Sequence, residues 1–397
     1  MNVRKDFPIL EKKINGKPII YFDNSCVTLK PTQVVDAMNK YYTDFTACHG
    51  RSAHAFAQET TNHFEESRRT VEKFVNAGKN EIIFTRNTTE AINIVANGLD
   101  LKGGTVVTTN LEHNSNLVPW LRLAKHGVSH KMVPVTDGFL DLERLAEAVD
   151  KDTKLVSLVH TSNVTGATLD AREAAKIAHD NGALLLLDSA QAAPHTPIDV
   201  KKMDVDFLAF SGHKMVGPSG TGALYGKKEL LENLDQFLLG GSTVKDVSAT
   251  DWVPEDLPGK FEAGLQDYAG AMGFAAAADY LMRIGMDNVR DFEKELGAHL
   301  LDGLAGIDKV TVFGGDAPER AALASFTVDG MEPHDVALIM NESHNIFLRS
   351  GMHCAHLFHK ETGLPKGTVR ASLYIYNTKE EVDTFVSVLS DVVNTFA

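Results

Sequence analysis

Between about residues 80 and 225, short apolar runs alternate with helix-like segments. The runs "EIIFT" (81–85), "TVVTTN" (105–110), "HKMVPV" (130–135), "KLVSLVH" (154–160), "ALLLLD" (183–188) and "DFLAFS" (206–211) read as strands. Several are apolar throughout rather than at every second position, the pattern of strands covered on both faces. Between them, "TTEAINIVANGL", "NSNLVPWLRLAKHG" and "AREAAKIAHDNG" read as helices. Strand and helix alternating at this spacing predict an α/β protein with a mainly parallel sheet flanked by helices.

The texture changes after about residue 265. A long Ala-rich stretch, "GAMGFAAAADYLMRIGMDNVRDFEKELGAHLLDGL", reads as helix and precedes strands near "VTVFGG", "ALASFTV", "IFLRSG" and "TVRASLYIY". Thr378 and Glu381 fit a capping box that opens a last helix. The expected organisation is an N-terminal arm (1–20) packing with the smaller domain, a large domain (21–265) and a smaller α+β C-terminal domain (266–397). Repeats and low-complexity tracts are not evident.

Composition narrows the class. The chain has 397 residues, 43% of them hydrophobic and 23% charged, the profile of a globular protein large enough for two domains. No apolar run approaches the ~20 residues of a membrane helix. The charged opening "MNVRKDFPILEKKING" lacks the apolar centre of a secretory signal, so a cytoplasmic location is the expectation. A net charge of -14 argues against a general grip on nucleic acid but leaves room for a local cationic pocket. The three cysteines, Cys26, Cys48 and Cys354, lack CxxC spacing and do not suggest a disulfide framework.

Ligands of open α/β sheets bind outside the carboxyl ends of the strands, and here those ends are rich in polar groups. "ALLLLDSAQ" ends with Asp188 and then Gln191, and "DFLAFSGHK" with Ser211, His213 and Lys214. "LVHTSNVTG" places Asn163, "NLEHNSN" places Glu112 and His113, and "TRNTTEAIN" sets Thr88 and Thr89 at a helix N-terminus suited to phosphate. Each alone has a plain explanation: an Asp at a strand end is usually a helix cap, and a lone Lys a solvated surface group. "GPSGTGALYG" fits neither a P-loop nor a dinucleotide fingerprint and reads as a turn entering a strand. Together the residues fit pyridoxal 5'-phosphate, which needs a lysine for its Schiff base, a carboxylate at its pyridine nitrogen and a phosphate cradle.

At these positions the chain resembles the class V, fold-type I PLP enzymes, and within them the SUF-type cysteine desulfurases and selenocysteine lyases. The likeness runs in order through "YFDNS", "FTRNTTEAINIVA", "LEHNSNLVPW", "SNVTG", "LLDSAQ", "FLAFSGHKMVGPSGTGALYG", "FEAG", "RSGMHCAH" and "VRASLYIYNT". It implies a seven-stranded large-domain sheet and a homodimer. It also implies roles: Lys214 would hold the cofactor and move the Cα proton, Asp188 would face the pyridine nitrogen, and Gln191 the phenolic oxygen. His113 would stack on the ring, and Thr88, Thr89, Ser211 and His213 would hold the phosphate. Asn163 and Arg370 would grip the carboxylate of L-cysteine, with Arg349 nearby, and Cys354 would take the sulfur as a persulfide destined for an acceptor or iron–sulfur scaffold protein.

"LRSGMHCAHLFHK" (348–360) also invites a zinc reading, because Cys354 lies among His353, His356 and His359. A metal there would occupy the sulfur that the resemblance makes the nucleophile, so no metal is expected. His353 and Arg349 are the neighbours that would favour a thiolate. A selenocysteine lyase or another class V lyase or aminotransferase is the alternative within the fold, and a non-catalytic sulfur-trafficking protein the alternative outside enzymes. The chain departs from the family after "FEAG", where Leu265, Gln266 and Asp267 replace a Thr-Pro-Asn whose threonine reaches the partner's phosphate. It departs again at Cys26, where alanine is common.

Overall fold

The computed structural model describes residues 1–135, 138–314 and 317–397. At its centre lie β1 (Ile82–Thr85), β2 (Thr105–Thr109), β3 (Ser129–Val133), β4 (Thr153–Val159), β5 (Leu184–Asp188), β6 (Phe207–Ser211) and β7 (Gly222–Gly226). They form one seven-stranded sheet in the order β1-β7-β6-β5-β4-β2-β3. Only β7 runs antiparallel to its neighbours β1 and β6. Every residue of β2, β6 and β7 is buried, as both-face coverage requires. The edge strand β3 instead alternates in exposure. Because β2, β4, β5 and β6 are parallel, their carboxyl ends share one rim.

The C-terminal part carries a four-stranded antiparallel sheet of β8 (Val310–Phe313), β9 (Leu323–Val328), β10 (Arg349–Gly351) and β11 (Thr368–Ser372), ordered β8-β9-β11-β10. The helices Met286–Ala305, Pro333–His344 and Lys379–Phe396 cover it through Leu296, Leu300, Val336, Met340, Phe385 and Leu389. The Thr378–Glu381 capping box is present at the start of the last helix. Two expectations change. The Ala-rich stretch is two helices, Tyr268–Ile284 and Met286–Ala305, broken at Gly285, whose φ of 89° is open to glycine and strained for other residues. Phe274, Ala277, Ala278 and Leu281 of the first helix join the core of the large sheet. The run "IFLRSG" is likewise two short strands. Ile346–Phe347 pairs in parallel with Ile20–Tyr21, and β10 pairs with β11.

The N-terminal segment ties both parts together. Phe7 is fully buried, 4.6 Å from the Tyr376 ring and 6.1 Å from that of Tyr280. Arg4 pairs with Glu381 at 2.7 Å, and Phe22 joins the small-sheet core against Phe385. Truncating Phe7 to alanine leaves a cavity at this junction. Denaturant unfolding of Phe7→Ala is expected to show a loss of about 3 kcal/mol. An unchanged midpoint would mean that the arm is not part of the core.

Candidate active site

The rim formed by the strand ends places each polar group through a local device. Thr88 and Thr89 open the helix Thr88–Gly98, with Asn87 accepting from the Glu90 amide as its cap at 3.0 Å. Thr88 Oγ1 lies 2.6 Å from Ser211 Oγ, and Thr89 Oγ1 lies 2.7 Å from Ser115 Oγ. Each hydroxyl pair needs only one of its two protons for that contact, which leaves one to donate to an anion. After β2, Glu112 is fully buried and accepts from Thr109 Oγ1 (2.7 Å) and Asn116 Nδ2 (2.6 Å), and burial pushes its pKa up to about 8. It anchors the turn that presents His113, whose Nδ1 accepts from the Ser115 amide at 3.1 Å.

Beyond β6 the chain turns through Gly212–Lys214. The His213 carbonyl accepts from the Thr28 amide (3.0 Å), Thr28 Oγ1 (3.1 Å) and Lys30 Nζ (3.1 Å), so the turn bearing Lys214 is clamped to the N-terminal segment. Burial pushes the Lys214 ammonium below the ordinary lysine value, opposed by Asp188. Burial raises the Asp188 carboxyl and the Lys214 charge lowers it. Each is therefore the principal electrostatic support of the other.

The small domain closes the opposite wall. Arg370, on β11, is buried, donates from Nη1 to the Asn163 carbonyl at 2.9 Å and pairs with Asp23 at 3.4 Å. Cys354 is exposed and follows His353, both with positive φ (48° and 56°), a conformation that costs free energy outside glycine. Two large-domain donors hold it. Asn163 Nδ2 bonds the His353 carbonyl at 2.7 Å, and the Asn114 amide bonds the Cys354 carbonyl at 2.6 Å. At the base of the loop Gly367 packs on the Gly351 backbone, where a Cβ would collide.

These walls enclose a cavity of about 240 Å³. Every site residue expected from the sequence lines it: Thr88, Thr89, His113, Asn163, Asp188, Gln191, Ser211, His213, Lys214, Arg349, Cys354 and Arg370. Cys26 lines it too, as do Ser25, Asn87, Ser115 and Thr161, to which sequence reasoning assigned no part in the site. Asp23 was also missed, although "YFDNS" already stood among the matching motifs. Its signal was a carboxylate just after an apolar pair, with its partner Arg370 far along the chain. Arg370 Nε is buried without a hydrogen-bond partner, a donor open to an anionic ligand. A phosphate at the Thr88–Ser211 corner, a pyridine ring between His113 and Asp188 and an aldehyde at Lys214 fit this donor set.

Comparison with known proteins agrees. A model of the class-V aminotransferases matches residues 20–385. The chain belongs to the class-V aminotransferase family. A cysteine desulfurase of Haloferax volcanii is 41% identical over 415 residues, covering 100% of this chain and 97% of the relative. The apo structure of a cysteine desulfurase from Thermococcus onnurineus NA1 superposes with a TM-score of 0.94 at 40% identity, covering 99% of this chain and 98% of that one. The cysteine desulfurase CsdA of Escherichia coli gives 0.90 at 34% identity, with the same shares covered. This class-V chain thus groups with the cysteine desulfurases over its whole length.

The histidines around Cys354 do not converge on it. His353 Nε2 lies 2.9 Å and His359 Nε2 3.4 Å from Thr368 Oγ1, while His356 Nδ1 lies 2.9 Å from Asn114 Nδ2. Among the described residues no three His, Cys, Asp or Glu side chains are grouped to hold a metal. One expectation is corrected here. His353 cannot supply positive charge to the thiol, because burial, with Arg370 adding to it, pushes its pKa down to about 2. Arg349 is left as the cation beside the cavity mouth.

The sign of the resulting pH effect follows from linkage. A histidine depressed in the folded state favours folding above its unfolded pKa of about 6.5, and that contribution is lost as pH falls. Glu112 and Asp188 are raised and act in the opposite direction, so a difference measurement is needed. Unfolding at pH 7 and pH 5 is expected to show a loss on acidification that is smaller in His353→Gln by about 1–2 kcal/mol. An equal loss in both proteins would mean that His353 is not held neutral.

Proposed function

We propose that this chain is a pyridoxal 5'-phosphate-dependent cysteine desulfurase that converts L-cysteine to L-alanine and keeps the sulfur as a persulfide on Cys354. The observation that carries this reading is one cavity holding Lys214 beside Asp188 at one side and the Cys354 thiol with the Arg370 guanidinium at the other. The cofactor, when bound, supplies an electron sink that stabilises negative charge at the substrate Cα. The protein supplies the rest.

Thr88, Thr89, Ser211 and His213 form the phosphate corner. The His213 imidazole is kept neutral, its pKa pushed down to about 4 by burial, so it can donate one N–H. Asp188 would be the carboxylate that keeps the pyridine nitrogen protonated, and Gln191 would border the phenolic oxygen. His113, neutral with a pKa pushed down to about 3 by burial and by Lys214, provides an uncharged ring surface. The substrate carboxylate meets Arg370 and Asn163, with Arg349 close by; the fork geometry of a guanidinium fits that anion. Lys214 takes the Cα proton, a task that its lowered basicity suits. The Cys354 thiolate then forms an S–S bond to the substrate sulfur as the Cβ–S bond breaks. The bonding pair returns to carbon, which is protonated, and alanine leaves.

The exposed thiol on a short loop fits delivery to a docking acceptor, which we place in iron–sulfur cluster assembly. A homodimer is supported by the apolar groups left on one surface, with Leu265 74% exposed near Leu238, and Trp252 and Val253 on an exposed hairpin. Leu265 cannot donate to a partner's phosphate, and Asp267 beside it is engaged as a helix cap on the Gly270 amide at 2.8 Å. Among the described residues no helix is long and apolar enough to cross a membrane.

The test is alanine formation from L-cysteine under reducing conditions, wild type beside Cys354→Ser. Wild type is expected to turn over, and Cys354→Ser to lose alanine formation by about 100-fold or more while keeping the cofactor's visible absorbance. Equal turnover in both proteins would make this a PLP enzyme of another kind.

A further inference from the structure

The cavity has a feature that one persulfide-forming thiol does not require. Of the three cysteines, Cys48 lies outside it, but Cys26 and Cys354 both line it. The two differ in setting. Cys354 is exposed on a strained two-residue turn at the mouth. Cys26 is partly buried on a braced turn: its amide donates to the Asp23 carbonyl at 3.1 Å, and the preceding Ser25 is fixed on both sides. The Ser25 amide donates to Ser372 Oγ at 2.9 Å, and its carbonyl accepts from Gln191 Nε2 at 2.8 Å. Cys26 shares the cavity lining with Arg370 and Lys214, the groups that would flank the substrate.

The shared cavity makes this arrangement consequential. The two thiols border one and the same cavity, together with Lys214 and Arg370. A persulfide lengthens the Cys354 side chain by about 2 Å, one S–S bond, and its outer sulfur is formed where the substrate sulfur lay. That sulfur therefore starts inside the chamber that Cys26 lines.

We infer that Cys26 is a second sulfur-carrying residue of this site, taking the outer sulfur from the Cys354 persulfide. The inference rests on the desulfurase reading above. The Cys26 thiolate attacks the outer sulfur of the Cys354 persulfide. A new S–S bond forms on Cys26, the Cys354 S–S bond breaks, and Cys354 leaves as the thiolate. The Cys26 thiol proton passes to solvent or to Cys354, and no outside oxidant or reductant is consumed, because the sulfur keeps its oxidation level. Cys354 is then free for a second cysteine, so each chain stores two sulfurs before an acceptor is needed.

The holoenzyme tests this without added thiol or acceptor, by counting alanine in the burst and locating the sulfur by peptide mass after alkylation. Wild type is expected to release about two alanines per chain and to carry one extra sulfur on each of Cys26 and Cys354. Cys26→Ala and the better size match Cys26→Ser are both expected to stop at about one, with the sulfur on Cys354 alone. One alanine per chain in wild type overturns the inference. So does finding both extra sulfurs on Cys354, or a Cys26–Cys354 disulfide with sulfide released. No alanine from wild type, or an undiminished burst in Cys354→Ser, would instead overturn the desulfurase reading itself.

Discussion

The hydrogen bonds that cross the seam between the two sheets are what the site depends on. Arg370 sits on the small sheet, but its partners are the Asn163 carbonyl of the large domain and Asp23 of the N-terminal segment. A buried guanidinium is costly unless its donors are met, and here Nε is left without a partner. The same Asn163 holds the His353 carbonyl, and Asn114 holds that of Cys354. The strained turn that presents the thiol is thus held from the large domain as well as by its own Ala355 amide to Met352 carbonyl bond at 2.8 Å. Remove the seam and Lys214 and Cys354 no longer share a chamber.

That arrangement explains how a lysine from the middle of the chain and a thiol from its C-terminal part come to one site. Parallel strands deliver Asp188, Ser211 and Lys214 to a common rim. The antiparallel small sheet brings Arg349 and Arg370 into register as direct neighbours on β10 and β11. Two cations side by side repel each other, and Asp23 offsets that repulsion for Arg370. A bound carboxylate would complete the balance.

Much of this was legible in the sequence. Six of the large-sheet strands announce themselves by short apolar runs, several of them continuous, and much of the site stands at their ends. The seventh, β7, was visible only as a glycine-rich turn entering a strand, because Gly222–Gly226 is short and its place between β1 and β6 is set by tertiary pairing. The break at Gly285 was missed because helix-forming sequence continues on both sides of it, and a single glycine does not by itself mark a break. His353 was misjudged for a different reason. Sequence proximity to Cys354 suggested a charged helper, but the positive φ at both residues turns the imidazole into the protein, onto Thr368. Asp23 and Cys26 could not be placed in the site from spacing, since more than 300 residues separate Asp23 from Arg370.

The central claim is that this one cavity is the reaction chamber, with the cofactor's carbonyl carbon fixed on Lys214. Borohydride reduction of the purified holoprotein followed by peptide mapping tests it directly. The account predicts a single stable pyridoxyl adduct on the peptide bearing Lys214. An adduct on another lysine, or none in protein that contains the cofactor, would contradict it.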